Sequence, residues 1–87
     1  MLSLRALASD DYQSWKRLWD GYLSFYKTEL SDEITAHTWS ELNNSKSLIT
    51  GFVAEIDSKV CAIAHCFLRP STWHPVGYLY LEDLFVD

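Results

Sequence analysis

Two helices lying between one short strand and a three-strand meander predict an α+β domain with a mostly antiparallel sheet. Three observations carry that reading. Apolar side chains recur at three- and four-residue steps from Trp15 to Tyr26, apolar and polar residues alternate from Ser47 to Ile56, and turn residues punctuate the rest of the chain, at Asp57-Ser58 and from Pro70 to Pro75. The 87 residues are 48% hydrophobic and 22% charged, values that exclude a disordered or collagen-like chain. At 10.1 kDa roughly 64% of the open chain's surface is expected to be buried, enough for one thin core.

Leu2-Ser3-Leu4-Arg5 alternates, and Leu2 to Leu7 reads as a short strand. Ser9-Asp10-Asp11 supplies a helix start, with Asp10 and Gln13 at capping-box spacing and acidic residues where the helix dipole favours them. Trp15, Leu18, Trp19, Tyr22 and Tyr26 then share one face of a helix of about four turns. Gln13, Lys16, Arg17, Asp20 and Ser24 occupy the other. Ser31-Asp32-Glu33 opens a second helix, on which Ile34, Trp39 and Leu42 can share a side and which Asn43-Asn44 stops. Ser47 to Ile56 is a strand with Leu48, Phe52, Ala54 and Ile56 on one side. Lys59 to Arg69 returns as the second arm of a hairpin. Pro70 to Pro75 is a loop, because proline cannot donate to a central ladder. Gly77 to Val86 is the last strand. The helices should pack on the sheet through Trp15, Leu18, Trp19 and Tyr22.

The net charge of −5 counts against a phosphate-backbone partner, which needs clustered Lys and Arg. No stretch approaches the ~20 apolar residues of a membrane span, and Met1 to Arg5 has no basic region leading into an apolar run. Cys61 and Cys66 are too few for a disulfide framework, so free thiols in a reducing cytoplasm are expected. Cys61, His65, Cys66 and His74 have metal-binding side chains. On a regular strand, though, Cys61 and His65 face one side and Cys66 the other, so no metal site is expected.

The most hydrophobic strand closes the chain, at Phe85-Val86-Asp87. It reads either as a central strand that ends cleanly or, preferably, as the last strand of half a larger fold. An uncovered strand would expose Leu79, Leu81 and Phe85 and favour association. A twofold homodimer, or a complementing carboxy-terminal half, would cover that patch.

The run Tyr78-Leu79-Tyr80-Leu81-Glu82-Asp83-Leu84-Phe85-Val86-Asp87 resembles the fourth strand of the GNAT superfamily of N-acetyltransferases. It is similar above all to the Tyr-Leu-Glu-Asp-Phe-Phe-Val run of spermidine/spermine and related diamine acetyltransferases. The helix Trp15-x-x-Leu18-Trp19-x-Gly21-Tyr22-x-x-Phe25-Tyr26 looks like that of bacterial members. Element order agrees along residues 1–87, but only with the first half of the family fold. The Arg/Gln-x-x-Gly-x-Gly/Ala loop that holds the acetyl-CoA pyrophosphate in relatives is not among these residues. The resemblance therefore implies a single truncated GNAT-like domain, the β-α-α-β-β-β amino-terminal half of an acetyl-CoA-dependent amine N-acetyltransferase. It would be inactive alone and would take a small amine if completed. The alternative is a stand-alone, self-associating interaction module built on the half-fold.

The resemblance also assigns residues. An amine must lose a proton before it attacks the thioester, and Glu82 is the implied base. Regular alternation would place it with Tyr78, Tyr80 and Leu84, among rings that solvate a carboxylate poorly. Its plainer reading is a solvated carboxylate paired with Arg69 or a lysine. Asp83 then points the other way, as a surface or hairpin-pairing residue. Leu84, Phe85 and Val86 would offer main-chain hydrogen bonds to the pantetheine arm of acetyl-CoA, or else are simply core strand. Of Tyr22, Tyr26, Trp39 and Trp73, the residues assigned to substrate are Tyr26 and Trp73, since rings near carboxylates hold alkylammonium groups. An aromatic stripe at helical spacing is otherwise core.

Overall fold

The computed structural model describes residues 1–87. In chain order it contains β1 (Leu2–Ala6), a 3₁₀ turn (Ser9–Asp11), α1 (Tyr12–Phe25), α2 (Asp32–Leu42), β2 (Ile49–Ile56), β3 (Lys59–Arg69) and β4 (Tyr78–Val86). The strands form one antiparallel sheet in the order β1-β2-β3-β4. The α+β architecture and each predicted element are present. β4 lies at the edge of the sheet, so the alternative of a central last strand is set aside.

Local chemistry explains the boundaries. At the start of α1 it is Asp11, not Asp10, that acts. Its Oδ2 accepts the Ala8 N–H at 2.8 Å, and both its oxygens accept from the Arg5 guanidinium at 2.8 Å. Arg5 also donates to Glu55 at 2.8 Å, so one cation ties β1 to β2 and to the helix start. The Ser31 hydroxyl accepts the Ile34 N–H at 3.2 Å, the cap expected for α2. Asp57 and Ser58 both have positive φ, 51° and 69°, as a two-residue turn needs if it is to match strand twist. Gly77, at φ +90°, leads into β4 where an added Cβ would lie 2.4 Å from the Arg69 carbonyl oxygen.

Both helices lie on one face of the sheet. Trp15, Leu18 and Trp19 are buried there with Leu42, Val53, Val60 and Ile63, and Tyr22 packs at the margin. The Trp15 and Trp19 rings stack at 5.8 Å. α2 turns a different side inward from the one its apolar spacing suggests. Ile34 is 49% exposed, and its neighbour Thr35 is buried in its place. The reason is polar: Thr35 Oγ1 accepts the buried Trp19 indole N–H at 3.2 Å, and a buried donor needs an acceptor that isoleucine lacks.

The opposite face is apolar and has no second layer. Register aligns Leu4, Ala54, Ala62 and Val86 in one row across the sheet and Ala6, Phe52, Ala64 and Leu84 in the next. Leu4 is 77% exposed and Leu84 is 54% exposed.

Two bulges interrupt the ladders. Ala54 pairs with Ala62 and Glu55 with Val60, which skips Cys61. His65 pairs with Asp83 and Cys66 with Leu81, which skips Glu82. The second bulge changes which residues share a side. Phe85, expected on the uncovered patch with Leu79 and Leu81, packs on the helix side instead, 6.5 Å from the Tyr22 ring and against Gly21. Leu79 and Leu81 are exposed. Both cysteines are free, no group of three metal-ligating side chains stands together, and no helix is long and apolar enough to cross a membrane.

Candidate functional site

The bulge in β4 is where the polar chemistry of the molecule gathers. Glu82, the extra residue, is exposed and has no register partner. Its neighbour Asp83 is turned toward the helices, with its side chain only 17% exposed. Asp83 Oδ2 lies 2.9 Å from His65 Nδ1, and His65 Nε2 lies 2.9 Å from Trp15 Nε1. An indole N–H can only donate, so Nε2 of His65 must accept. A neutral imidazole carries a single N–H, which therefore sits on Nδ1 and donates to Asp83. The Tyr22 hydroxyl also faces this carboxylate, less closely than His65 does.

These contacts set proton affinities. Burial pushes the Asp83 carboxyl up, but the hydrogen bonds from His65 and Tyr22 outweigh it and hold the group below the usual carboxylate value. Tyr22 is pushed up to about 12, first by its hydrogen bond to Asp83 and then by burial. No buried side-chain nitrogen or oxygen lacks a partner.

The other sequence-assigned residues divide into two groups. Leu84, Phe85 and Val86 continue β4 past the bulge; Phe85 packs inward, whereas Leu84 and Val86 lie on the uncovered face. The far edge of β4 has no neighbouring strand, so its outward backbone groups can take an extended ligand. Tyr26 is exposed but joins this region through Tyr22, whose ring lies 5.0 Å away. Trp73 is elsewhere. It is 91% exposed in the β3–β4 loop, lining a shallow cavity with Arg69, Ser71 and Tyr78. Trp39 belongs to the aromatic core, 4.9 Å from Trp15 and 5.1 Å from Tyr12. Sequence reasoning read Asp83 as a surface or hairpin-pairing residue facing away from the site; it pairs with His65 across the hairpin, and its side chain is turned inward rather than to the surface. A histidine in an otherwise apolar strand was the available signal that a buried polar partner existed.

No protein-family model matches the chain. One curated relative is a D-amino-acid N-acetyltransferase, HPA3, of Saccharomyces cerevisiae, 27% identical over 85 residues, which are 95% of this chain and 53% of the yeast protein. A possible acetyltransferase from Clostridium difficile superposes over the entire chain with a TM-score of 0.84 at 17% identity. The chain therefore shares an α+β fold with part of these acetyltransferases. An aminoglycoside acetyltransferase, meta-AAC0020, from an uncultured soil metagenomic sample shares this fold at TM-score 0.71 and 20% identity, over 99% of this chain. The half-fold accounts for 58% of the Clostridium chain and 56% of the soil one. It thus spans about half the length of the proteins it matches.

Proposed function

We propose that this chain is the amine-facing half of an acetyl-CoA-dependent amine N-acetyltransferase, and that acetyl transfer needs a second half to complete it. The observation that supports this is the exposed carboxylate of Glu82, displaced from the ladder of an edge strand in a fold shared with acetyltransferases. Glu82 takes the proton of a bound ammonium group. Acetyl-CoA, when bound, would supply the thioester whose carbonyl carbon joins the freed amine nitrogen as its C–S bond breaks, the departing thiolate taking up the nitrogen's remaining surplus proton. The outer backbone of Leu84, Phe85 and Val86 offers hydrogen bonds to the amides of the pantetheine arm. Tyr26 beside Tyr22 offers ring faces to the amine, whereas Trp73, in the β3–β4 loop, would meet only a longer substrate. The three glycines, Gly21, Gly51 and Gly77, are scattered, so a phosphate-cradling loop must come from other residues. The yeast relative acts, by its name, on the amine of a D-amino acid; for this chain the acceptor is a small amine. The free thiols suit a reducing cytoplasm.

The test is turnover by the purified 87-residue chain with acetyl-CoA and polyamines, lysine analogues or small amines. None should exceed a Glu82→Gln control. Fused to the carboxy-terminal half of a homologous acetyltransferase, the chain should turn over, and Glu82→Gln should slow it about 10²-fold or more. Activity of the chain alone would overturn the division into halves, and an unaffected Glu82→Gln fusion would remove Glu82 as base.

The uncovered sheet face favours a second reading, a self-associating module. The folded chain exposes 6400 Å², against roughly 5,300 Å² expected for a monomer of its mass. The excess of about 1,100 Å² exceeds the roughly 800 Å² that each partner contributes to a stable interface. A second copy packed sheet to sheet about a twofold axis would cover it.

A further inference from the structure

We propose that His65 is a positioning residue, a neutral imidazole locked by Trp15 in its Nδ1–H tautomer, which pins the bulge in β4 and so presents Glu82. The irregularity in the β3–β4 ladder falls at His65 itself: His65 pairs with Asp83, the next β3 residue pairs with Leu81, and Glu82 is the residue left over. A bulge can in principle slide along a strand, because each shift exchanges one unpaired residue for another. Here side-chain contacts bound it on both sides, the His65–Asp83 pair on one and the Phe67 and Tyr80 rings, 4.9 Å apart, on the other. Asp83 can accept from His65 Nδ1 only while it stands opposite His65 on the helix side, and the 2.9 Å contact holds it there. His65 in turn is 2% exposed and cannot rotate, because its far nitrogen accepts the Trp15 N–H at 2.9 Å. Trp15 is completely buried in the helix–sheet core. The chain of contacts therefore runs from a completely buried ring of the core to the exposed carboxylate beside the free strand edge.

The lock follows from donor chemistry alone. Trp15 cannot accept, so a proton on Nε2 would set two donors against each other at 2.9 Å and leave Asp83 facing a bare nitrogen. Sliding the bulge one residue toward the carboxy end would take Asp83 out of register with His65 and leave His65 Nδ1 buried without an acceptor, and the Phe67–Tyr80 pairing limits sliding the other way. The consequence for acetyl transfer rests on the function proposed above, whereas the pinning of the bulge does not.

Long-range ¹H–¹⁵N NMR of the histidine-labelled 87-residue chain tests it without any activity assay. At neutral pH His65 should show a protonated Nδ1 and a bare Nε2 as a single species, while exposed His37, which has no hydrogen-bond partner, gives tautomer-averaged signals. Trp15→Phe should release His65 into averaging. His65→Leu should lose the cross-strand contacts that define the skip at Glu82 and speed amide exchange from Leu81 to Leu84 about tenfold or more. His65→Asn, whose amide can donate from the Nδ1 position, should restore most of that protection. A protonated Nε2 in the native chain, or a bulge unmoved in His65→Leu, would overturn the proposal. If the NMR results hold but the fused enzyme is inactive, only the acetyltransferase reading fails.

Discussion

The two faces of the sheet are built from the same strands, yet they solve burial in opposite ways. The helix side buries polar groups, His65, Asp83 and Thr35, each with a hydrogen-bonded partner, among tryptophans and branched aliphatics. The outer side presents alanine, leucine, valine and Phe52 with no polar side chain in its two central rows, and much of it is open to water. Apolar character thus does not tell which face the chain covers by itself. Side-chain size does better. The helix side is filled by large rings from α1, whereas the four alanines of the outer rows keep that surface low, so that a further layer can approach closely.

The largest expected effect concerns the outer face. If a second copy covers it, sedimentation equilibrium at about 50 µM should show a dimer, since that concentration exceeds a dissociation constant of ~1 µM, about −8 kcal/mol. Leu84→Lys should then return the chain to monomer, and Lys16→Glu, on the solvent side of α1, should not. A single species near the chain mass of 10.1 kDa at that concentration would leave the face to another partner. Next comes Trp19→Ala on the helix side, which should cost on the order of 3–5 kcal/mol in urea denaturation. Leu4→Ala on the outer side should cost less than about 0.5 kcal/mol in a monomer. Similar losses for the two would erase the distinction between the faces.

The smallest effect is a pH dependence confined to the helix side. Asp11 is held below its ordinary value by its hydrogen bond from Arg5, against burial and with help from the Ala8 N–H, and Asp83 is held down as described. Near and below the ordinary value of about 3.9 the unfolded chain therefore binds more protons than the folded one. Stability from these groups should be complete above about pH 5 and fall as acid reaches the folded pKa values. Asp83→Asn should lower neutral stability and flatten the acid slope in denaturation between about pH 3 and 5. Tyr22, raised to about 12, adds a mirror-image loss once the pH passes about 10, where the unfolded phenol ionises first.

Much of this architecture was legible because its signals are periodic. Helical spacing from Trp15 to Tyr26, the Ser31 cap and the Asp57-Ser58 turn each rest on a local rule, and each element stands where that rule puts it. The site was less legible because a bulge breaks period two without changing composition. Strict alternation put Glu82 with Leu84 and turned Asp83 outward; skipping one residue brings Asp83 and Phe85 to the helices. For the same reason Phe85 cannot serve as a probe of the open face, and Leu84 takes that role. Thr35 and Asp11 were missed for a different reason: what selects them is a donor on a distant element, Trp19 for one and Arg5 for the other.

Gly21 and Phe85 meet where α1 crosses the end of β4: a Cβ on Gly21 would lie 2.9 Å from the Phe85 ring. Alanine at position 21 would favour the helix by about 1 kcal/mol in isolation, so the strand's ring, not the helix, keeps the glycine. Sequences that share this crossing should trade bulk between the two positions. A larger residue at 21 should travel with a smaller one at 85, and a pair small at both should let α1 slide along the sheet. The two positions, 64 apart in the chain, would then vary together, with the sum of their bulk set by the gap between helix and strand.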